Sequence, residues 1–167
     1  DAYFLDAFAR AYAMALAKSP DRDGFFAFKS LLDGVLDELE LHEQLAARHN
    51  LNPEPEPSPA TTAYTDFLLR VAAMAPVGEI VAAMTPCMRL YAYLGQELAE
   101  RLSKTSPYRD WVMTYSSPEF EGLATRLEDL LDRYGKGLDK VASHYRRAME
   151  LEFAFFDEAW KTGEVEK

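Results

Sequence analysis

The segment AMTPCMRLYAYLG, residues 83–95, is apolar for most of its length and contains the only cysteine of the chain, Cys87. Its pattern predicts one long apolar helix that begins near Pro76 and continues to about Leu102, since proline suits the first turn of a helix. Buried cysteines are common and usually inert. By itself the segment therefore favours a packing role for Cys87 over a role as a nucleophile.

Helical periodicity continues on both sides of this segment. Residues 2–18 place four side chains on one stripe, namely Phe4, Phe8, Tyr12 and Ala15. Ser-Pro pairs at 106–107 and 117–118 predict two helix starts, because serine caps free amides while proline takes the first helical position. The remaining predicted helices cover residues 25–50, 61–75, 107–115, 118–134 and 138–162. No stretch alternates between apolar and polar residues, so the sequence predicts an all-α bundle of six or seven helices, in one domain over residues 1–167.

The chain is strongly acidic, with 18 basic and 28 acidic residues and a net charge of −10. This charge disfavours binding to nucleic acid or to an anionic membrane, because both need clustered Lys and Arg. One cysteine forms no internal disulfide, and no apolar run approaches the roughly 20 residues that span a bilayer. We therefore expect a small-molecule partner and a cytoplasmic location. Because the chain opens on Asp1 and not on Met, we expect its native N-terminus to lie further upstream.

Known motifs for metal and cofactor sites are absent from the sequence. A di-iron bundle uses Glu-x-x-His pairs, but the positions three residues before the three histidines hold Leu39, Ala46 and Val141. A single cysteine excludes thiolate-rich zinc sites, and no glycine-rich phosphate loop is present. The sequence therefore predicts no metal and no cofactor, and each histidine is interpreted as a surface or supporting residue.

Acids and tyrosines on apolar helix faces are the remaining candidates for chemistry. Glu152 shares one face with Phe155 and Phe156 in the stretch ELEFAFFDEAW. A carboxylate among aromatic side chains must be paired, protonated or functional, whereas an acid at the helix edge would be partly exposed. The pattern leaves both readings open. Three tyrosines also lie on apolar faces of different helices, where core packing is the ordinary interpretation: Tyr64, Tyr91 and Tyr115.

Six motifs in order along the whole chain resemble the TenA family, thiaminase II. They are DAYFL, LHEQLA, SPATTAYTDFLL, AMTPCMRLYAYLG, YRDWVMTYSSPEF and ELEFAFFDEAW. The resemblance implies a haem-oxygenase-like helical bundle, commonly assembled as a homotetramer. It also implies that the family's opening helix and the start of the next helix precede Asp1.

The resemblance implies an activity and a set of site residues. Family members hydrolyse aminomethyl pyrimidines to hydroxymethylpyrimidine with release of ammonia, in thiamin salvage, and many cleave thiamin slowly. Cys87 matches the family's nucleophile and Glu152 its catalytic acid. The remaining matches are expected to bind the pyrimidine substrate: Asp1, Phe4, Tyr64, Tyr91, Tyr115 and Phe155.

The chemistry of this reaction suits these residue types. A cysteine thiolate that adds to an electron-poor pyrimidine makes departure of the amine easier. An acid with a raised pKa can share its proton with the ring nitrogen, on which electron density develops. If the helix breaks at Pro86, the helix dipole would help form the thiolate of Cys87. Otherwise Asp1 or a tyrosine must assist.

Two other functions are compatible with the sequence. One is a non-catalytic protein that binds a pyrimidine or thiamin. The other is a cofactor-dependent oxygenase or redox protein with the same fold, although the failed Glu-x-x-His pattern argues against a di-iron version.

Overall fold

The computed structural model of the chain describes residues 2–48, 52 and 56–165, so Asp1 lies outside the described part. Within that part the chain forms seven helices and no strand, which confirms the predicted all-α class. The helices are α1 (Ala2–Ala17), α2 (Arg22–Arg48), α3 (Pro59–Met74), α4 (Val77–Ala99), α5 (Arg109–Tyr115), α6 (Pro118–Tyr134) and α7 (Val141–Val165). None of the helices in these ranges is long and apolar enough to cross a membrane.

Serine and proline set the start of two helices. Ser117 caps α6 by accepting a hydrogen bond from the Phe120 amide at 3.1 Å, as the Ser-Pro pair predicts. Ser58 caps α3 in the same way, so α3 begins at Pro59 and not near residue 61 as expected. The prediction for Ser106 was wrong. Its hydroxyl accepts from the Tyr108 amide within a turn, and α5 begins only at Arg109.

Helix α4 is the central element of the fold. Every residue from Val77 to Met88 is buried, because α4 packs against α3, α5, α6 and α7 and also touches α1. Glycines allow two close approaches. A Cβ on Gly78 would meet the carbonyl of Tyr134 at the end of α6, and one on Gly95 would meet the backbone of Tyr115 in α5. The two ends of α4 are therefore fixed against neighbouring helices.

Helices α1 and α2 form the second layer. The predicted stripe of α1 is buried, and α1 packs against α2, α3 and α4. One face of α2 contributes Phe28, Leu31 and Val35 to the same core. The continuous core of these helices surrounds the only cysteine.

Charged side chains link the helices at the surface of the core. Arg89 of α4 donates hydrogen bonds to Glu121 at 2.8 Å and to Glu128 at 2.6 Å, both on α6. Lys18 donates to the carbonyl oxygens of Ala72, Ala73 and Ala75 at the end of α3. These contacts satisfy helix ends and fix the helices relative to one another.

Candidate active site

Cys87 lies in the middle of α4, because the helix continues through Pro86 without a break. The condition for activation by a helix N-terminus, a break at Pro86, is therefore not met. The side chain is 8% exposed, and burial raises the pKa of the Cys87 thiol well above its ordinary value, with the Glu152 and Glu38 carboxylates adding to the effect. A base within reach is needed to form the thiolate.

Glu152 of α7 is a buried carboxyl next to this thiol. Its side chain is 2% exposed and accepts a hydrogen bond of 2.8 Å from the Tyr64 hydroxyl of α3. The Cys87 thiol lies close enough to this carboxyl to influence its pKa as a hydrogen-bond donor. Burial raises the pKa of Glu152 to about 6, against the lowering effect of the Tyr64 hydroxyl and the Cys87 thiol. Of the two readings that the sequence left open, the structure selects the buried, paired acid.

A second carboxyl–tyrosine pair lies near Cys87. The Tyr115 hydroxyl of α5 donates a short hydrogen bond to Glu38 of α2. Burial raises the pKa of Glu38, whereas the bond from Tyr115 lowers it. The Glu38 carboxylate contributes to the raised pKa of the Cys87 thiol. The Tyr115 hydroxyl interacts electrostatically with both Tyr91 and Cys87.

Aromatic side chains form two walls around the thiol. In the first wall, the Phe4 ring lies 4.9 Å from Tyr64 and 6.1 Å from Phe155, measured between ring centroids. In the second wall, the Tyr91 ring lies 5.0 Å from Tyr115 and 5.8 Å from Trp111. Flat walls of this kind suit a flat heterocycle, because aromatic faces stack in offset or tilted pairs.

The space beside Cys87 is small, and larger spaces adjoin it through shared lining residues. The inner cavity, lined by Glu38, His42, Cys87, Tyr91 and Tyr115 together with apolar side chains, has a volume of about 20 Å³. That volume holds about one water molecule. Beyond Tyr91 lies the outer groove, about 750 Å³, whose lining includes Tyr91, Arg101, Trp111, Phe155 and Phe156.

The structure brings most of the predicted site residues together. Seven of the eight lie within the described residues and contact one another directly or through one neighbour: Phe4, Tyr64, Cys87, Tyr91, Tyr115, Glu152 and Phe155. Asp1, the eighth, falls outside the described part of the chain. Their roles stay predictions.

Sequence analysis missed three residues of the site. Glu38 and His42 line the inner cavity, and Trp111 packs against Tyr91 and Tyr115. A signal for Glu38 was present, since it follows Val35 by three residues on the buried face of α2. The other acids of the stretch DELELHE outweighed this signal, because a run of acidic residues predicts a helix face that is exposed to solvent.

Comparisons with known proteins identify the family to which the chain is similar. The family model TENA/THI-4/PQQC matches residues 1–163. The aminopyrimidine aminohydrolase of Halalkalibacterium halodurans is 32% identical over 170 residues, which cover 95% of this chain and 75% of that protein. The mitochondrial bifunctional TH2 protein of Arabidopsis thaliana is 35% identical over 184 residues, which cover 93% of this chain. The chain spans only 30% of that longer protein.

The fold also has a close counterpart among solved structures. A TenA homologue from Pyrococcus furiosus superimposes with a TM-score of 0.87 and 25% identity, over 94% of this chain and 78% of that one. The helical bundle is therefore of the haem-oxygenase-like type, as expected from the sequence.

Proposed function

The chain belongs to the TENA/THI-4/PQQC family, and on that premise we propose that it is an aminopyrimidine aminohydrolase, or thiaminase II. It converts an aminomethyl pyrimidine and water into the hydroxymethyl pyrimidine and ammonia, in thiamin salvage. The relative from Halalkalibacterium halodurans carries the name of this activity. One observation carries the proposal: the only cysteine lies next to a buried carboxyl, close enough for the two groups to shift each other's pKa, between two aromatic walls.

Cys87 is the nucleophile in this proposal and Glu152 carries its proton. Because burial raises the pKa of the thiol, little thiolate exists until a base removes the proton, and the Glu152 carboxylate lies next to that thiol. As sulfur adds to the pyrimidine ring, the proton passes to Glu152 and from there to a ring nitrogen. The aminomethyl group reacts in its ammonium form, so when the exocyclic C–N bond breaks the electron pair leaves with the nitrogen as ammonia. This ammonia then takes up the proton that the attacking water loses.

Release of the amine leaves a methylene group conjugated to the ring. Water adds to this carbon, sulfur leaves the ring, and the ring nitrogen returns its proton by way of Glu152 to the thiol. The products are the hydroxymethyl pyrimidine and ammonia, and the protein returns to its starting state. A carboxyl with a pKa of about 6 suits this alternation, because both protonation states are accessible near neutral pH.

Binding requires movement of side chains at the inner cavity. A volume of about 20 Å³ does not hold a pyrimidine ring, whereas the outer groove of about 750 Å³ does. Tyr91 lines both spaces, so rotation of its half-buried ring joins them. Phe4 and Phe155 then stack on the ring from one side. The hydroxyl oxygens of Tyr64 and Tyr115 serve as acceptors, since their hydrogens are donated to Glu152 and Glu38.

Ammonia release tests the proposed function. The wild-type protein should release ammonia from the aminomethyl pyrimidine, and Cys87→Ala should lower that rate by about 10³-fold or more, since covalent catalysis is lost. The Cys87→Ala protein should still bind the pyrimidine, as measured by calorimetry. A wild-type protein that binds the pyrimidine without releasing ammonia would instead be a binding protein. Visible absorption bands in the purified protein would support the cofactor-dependent alternative.

Location and assembly belong to the same proposal. We infer that the protein acts in the cytoplasm as a homotetramer, as the family resemblance implies. Light scattering coupled to gel filtration measures the assembly, and a mass of one or two chains of 18.9 kDa would contradict the tetramer.

A further inference from the structure

Glu38 separates two cavities near the thiol. It lines the inner cavity together with Cys87, and it also lines a second space of about 280 Å³ behind it. We call this second space the acidic cavity, because its charged side chains are Asp37, Glu38 and Glu119. The mechanism above uses Glu152 for the thiol and the ring, so Glu38 has no part in it.

The electrostatic surroundings of Glu38 favour a cation. None of the described residues that line the inner or the acidic cavity is Lys or Arg. Burial lowers the pKa of His42, so this imidazole is neutral at neutral pH and supplies no positive charge. A half-buried carboxylate with a single hydroxyl donor retains lone pairs that a charged ligand can fill.

A second observation points to a ligand in this place. Tyr12 of α1 is 1% exposed, and its hydroxyl has no hydrogen-bond partner among the described residues. That side chain lines the acidic cavity and lies within electrostatic range of both Cys87 and Glu38. Buried hydroxyls are almost always hydrogen-bonded, so this oxygen is placed to accept from a ligand or a bound water.

We propose that Glu38, with the hydroxyls of Tyr115 and Tyr12, binds the exocyclic aminomethyl group of the substrate in its ammonium form. The inference rests on the proposed function and extends it to the position of the leaving group. A primary ammonium has three N–H donors, which match one carboxylate oxygen pair and nearby hydroxyl oxygens. The nitrogen that departs already carries its third hydrogen, so it leaves as neutral ammonia when the C–N bond breaks.

This subsite assigns a substrate class. Compounds with a primary aminomethyl group can donate hydrogen bonds to Glu38, whereas the thiazolium nitrogen of thiamin carries no hydrogen. Glu38 therefore favours aminomethyl pyrimidines over thiamin. The pyrimidine ring itself contacts the other side of the site, at Tyr64 and Glu152, and does not depend on Glu38.

Binding measurements in the Cys87→Ala protein test the subsite without turnover. Calorimetry should show that Glu38→Gln, added to Cys87→Ala, weakens binding of the aminomethyl pyrimidine by about ten-fold or more, because a charge-assisted hydrogen bond is lost. Affinity for the neutral hydroxymethyl pyrimidine should change by less than about three-fold. Glu40→Gln is the matched control, since it removes the same charge from an exposed position of α2 that lines neither cavity, and it should leave both affinities unchanged.

Each outcome decides a different point. Equal weakening of both pyrimidines by Glu38→Gln, or no weakening of either, would overturn the ammonium subsite while the proposed function stands. If neither pyrimidine binds the Cys87→Ala protein, the proposed function fails and the subsite with it. Thermal unfolding of each variant shows whether the change acts on binding or on the fold.

Discussion

Two carboxyl–tyrosine pairs flank Cys87, and they differ in how they are held. The pair Tyr64–Glu152 joins α3 to α7 and is buried within the core. The pair Tyr115–Glu38 joins the short helix α5 to α2 and lies between the inner and acidic cavities. The carboxyl of the first pair lies next to the thiol, whereas the carboxyl of the second pair lines both cavities. The comparison suggests a division of tasks, with proton transfer on the first side and recognition of the amine on the second.

Loss of the first pair's carboxyl has the largest expected effect. Glu152→Gln removes the base for Cys87, so kcat should fall by about 10²- to 10⁴-fold, as for other general acid–base residues. In the wild-type protein, activity should decline as the pH falls through about 6, since protonated Glu152 cannot accept the thiol proton. Ammonia release across the pH range measures both. Activity that rises as the pH falls to 6 would mean that Glu152 enters the reaction as an acid.

The same substitution also reports on stability. The ordinary pKa of Glu is 4.5 and burial raises it to about 6 in the fold, so the contribution of Glu152 to stability is present below pH 4.5 and lost as the pH rises to about 6. The loss amounts to about 2 kcal/mol. Denaturant titrations measure the free energy of unfolding. For Glu152→Gln this free energy, relative to that of wild type, should therefore rise by about 2 kcal/mol between acidic and neutral pH. If the difference in free energy of unfolding between the variant and wild type does not change with pH, the Glu152 carboxyl is not buried in solution.

These two pairs also mark how far the sequence predicts the molecule. Helix periodicity predicts the bundle, and the Ser-Pro pair predicts the start of α6, because both depend on local spacing. The local pattern favoured a packing role for Cys87 and left two readings of Glu152 open. Both were assigned to the site through the family resemblance, which rests on six motifs in order along the chain.

Glu38 shows what the sequence does not contain. In the stretch DELELHE, four carboxyls look alike, and only the packing of α2 beside α5 and α6 distinguishes Glu38 from its exposed neighbours. The continuity of α4 through Pro86, in contrast, agrees with the helix predicted from the sequence, and packing explains it. A proline removes one helical hydrogen bond, but a helix buried on all sides is held by its packing.

The substitution Gly95→Ala is expected to disturb the second pair, with a smaller effect on activity than Glu152→Gln. A Cβ at this position would press on the backbone of Tyr115 and Ser116, so Gly95→Ala must displace α5. We expect a loss of about 1–3 kcal/mol in the free energy of unfolding and about a ten-fold loss in kcat/KM. Gly122→Ala is the matched control, because nothing lies within 4 Å of its added Cβ, and alanine favours the helix α6.

The two variants separate site geometry from general stability. Full activity in Gly95→Ala would mean that the site does not require Tyr115 at its observed position. Weakened activity in Gly122→Ala would mean that activity follows stability and not the position of α5. Ammonia release and denaturant titration on both proteins decide between these outcomes.

The mildest test removes one hydroxyl from the first pair. The hydrogen bond from Tyr64 lowers the pKa of Glu152, so Tyr64→Phe should raise that pKa above about 6 and move the acid limb of the pH profile upward. At the plateau, kcat should fall only about five-fold, because the substitution removes one donor to the ionised Glu152 and leaves the carboxylate in place to accept the thiol proton. Tyr115→Phe should leave the acid limb in place, since its hydroxyl is bonded to Glu38 and not to Glu152. If both variants shift the limb equally, the two pairs titrate as one unit, and the division between proton transfer and amine recognition does not hold.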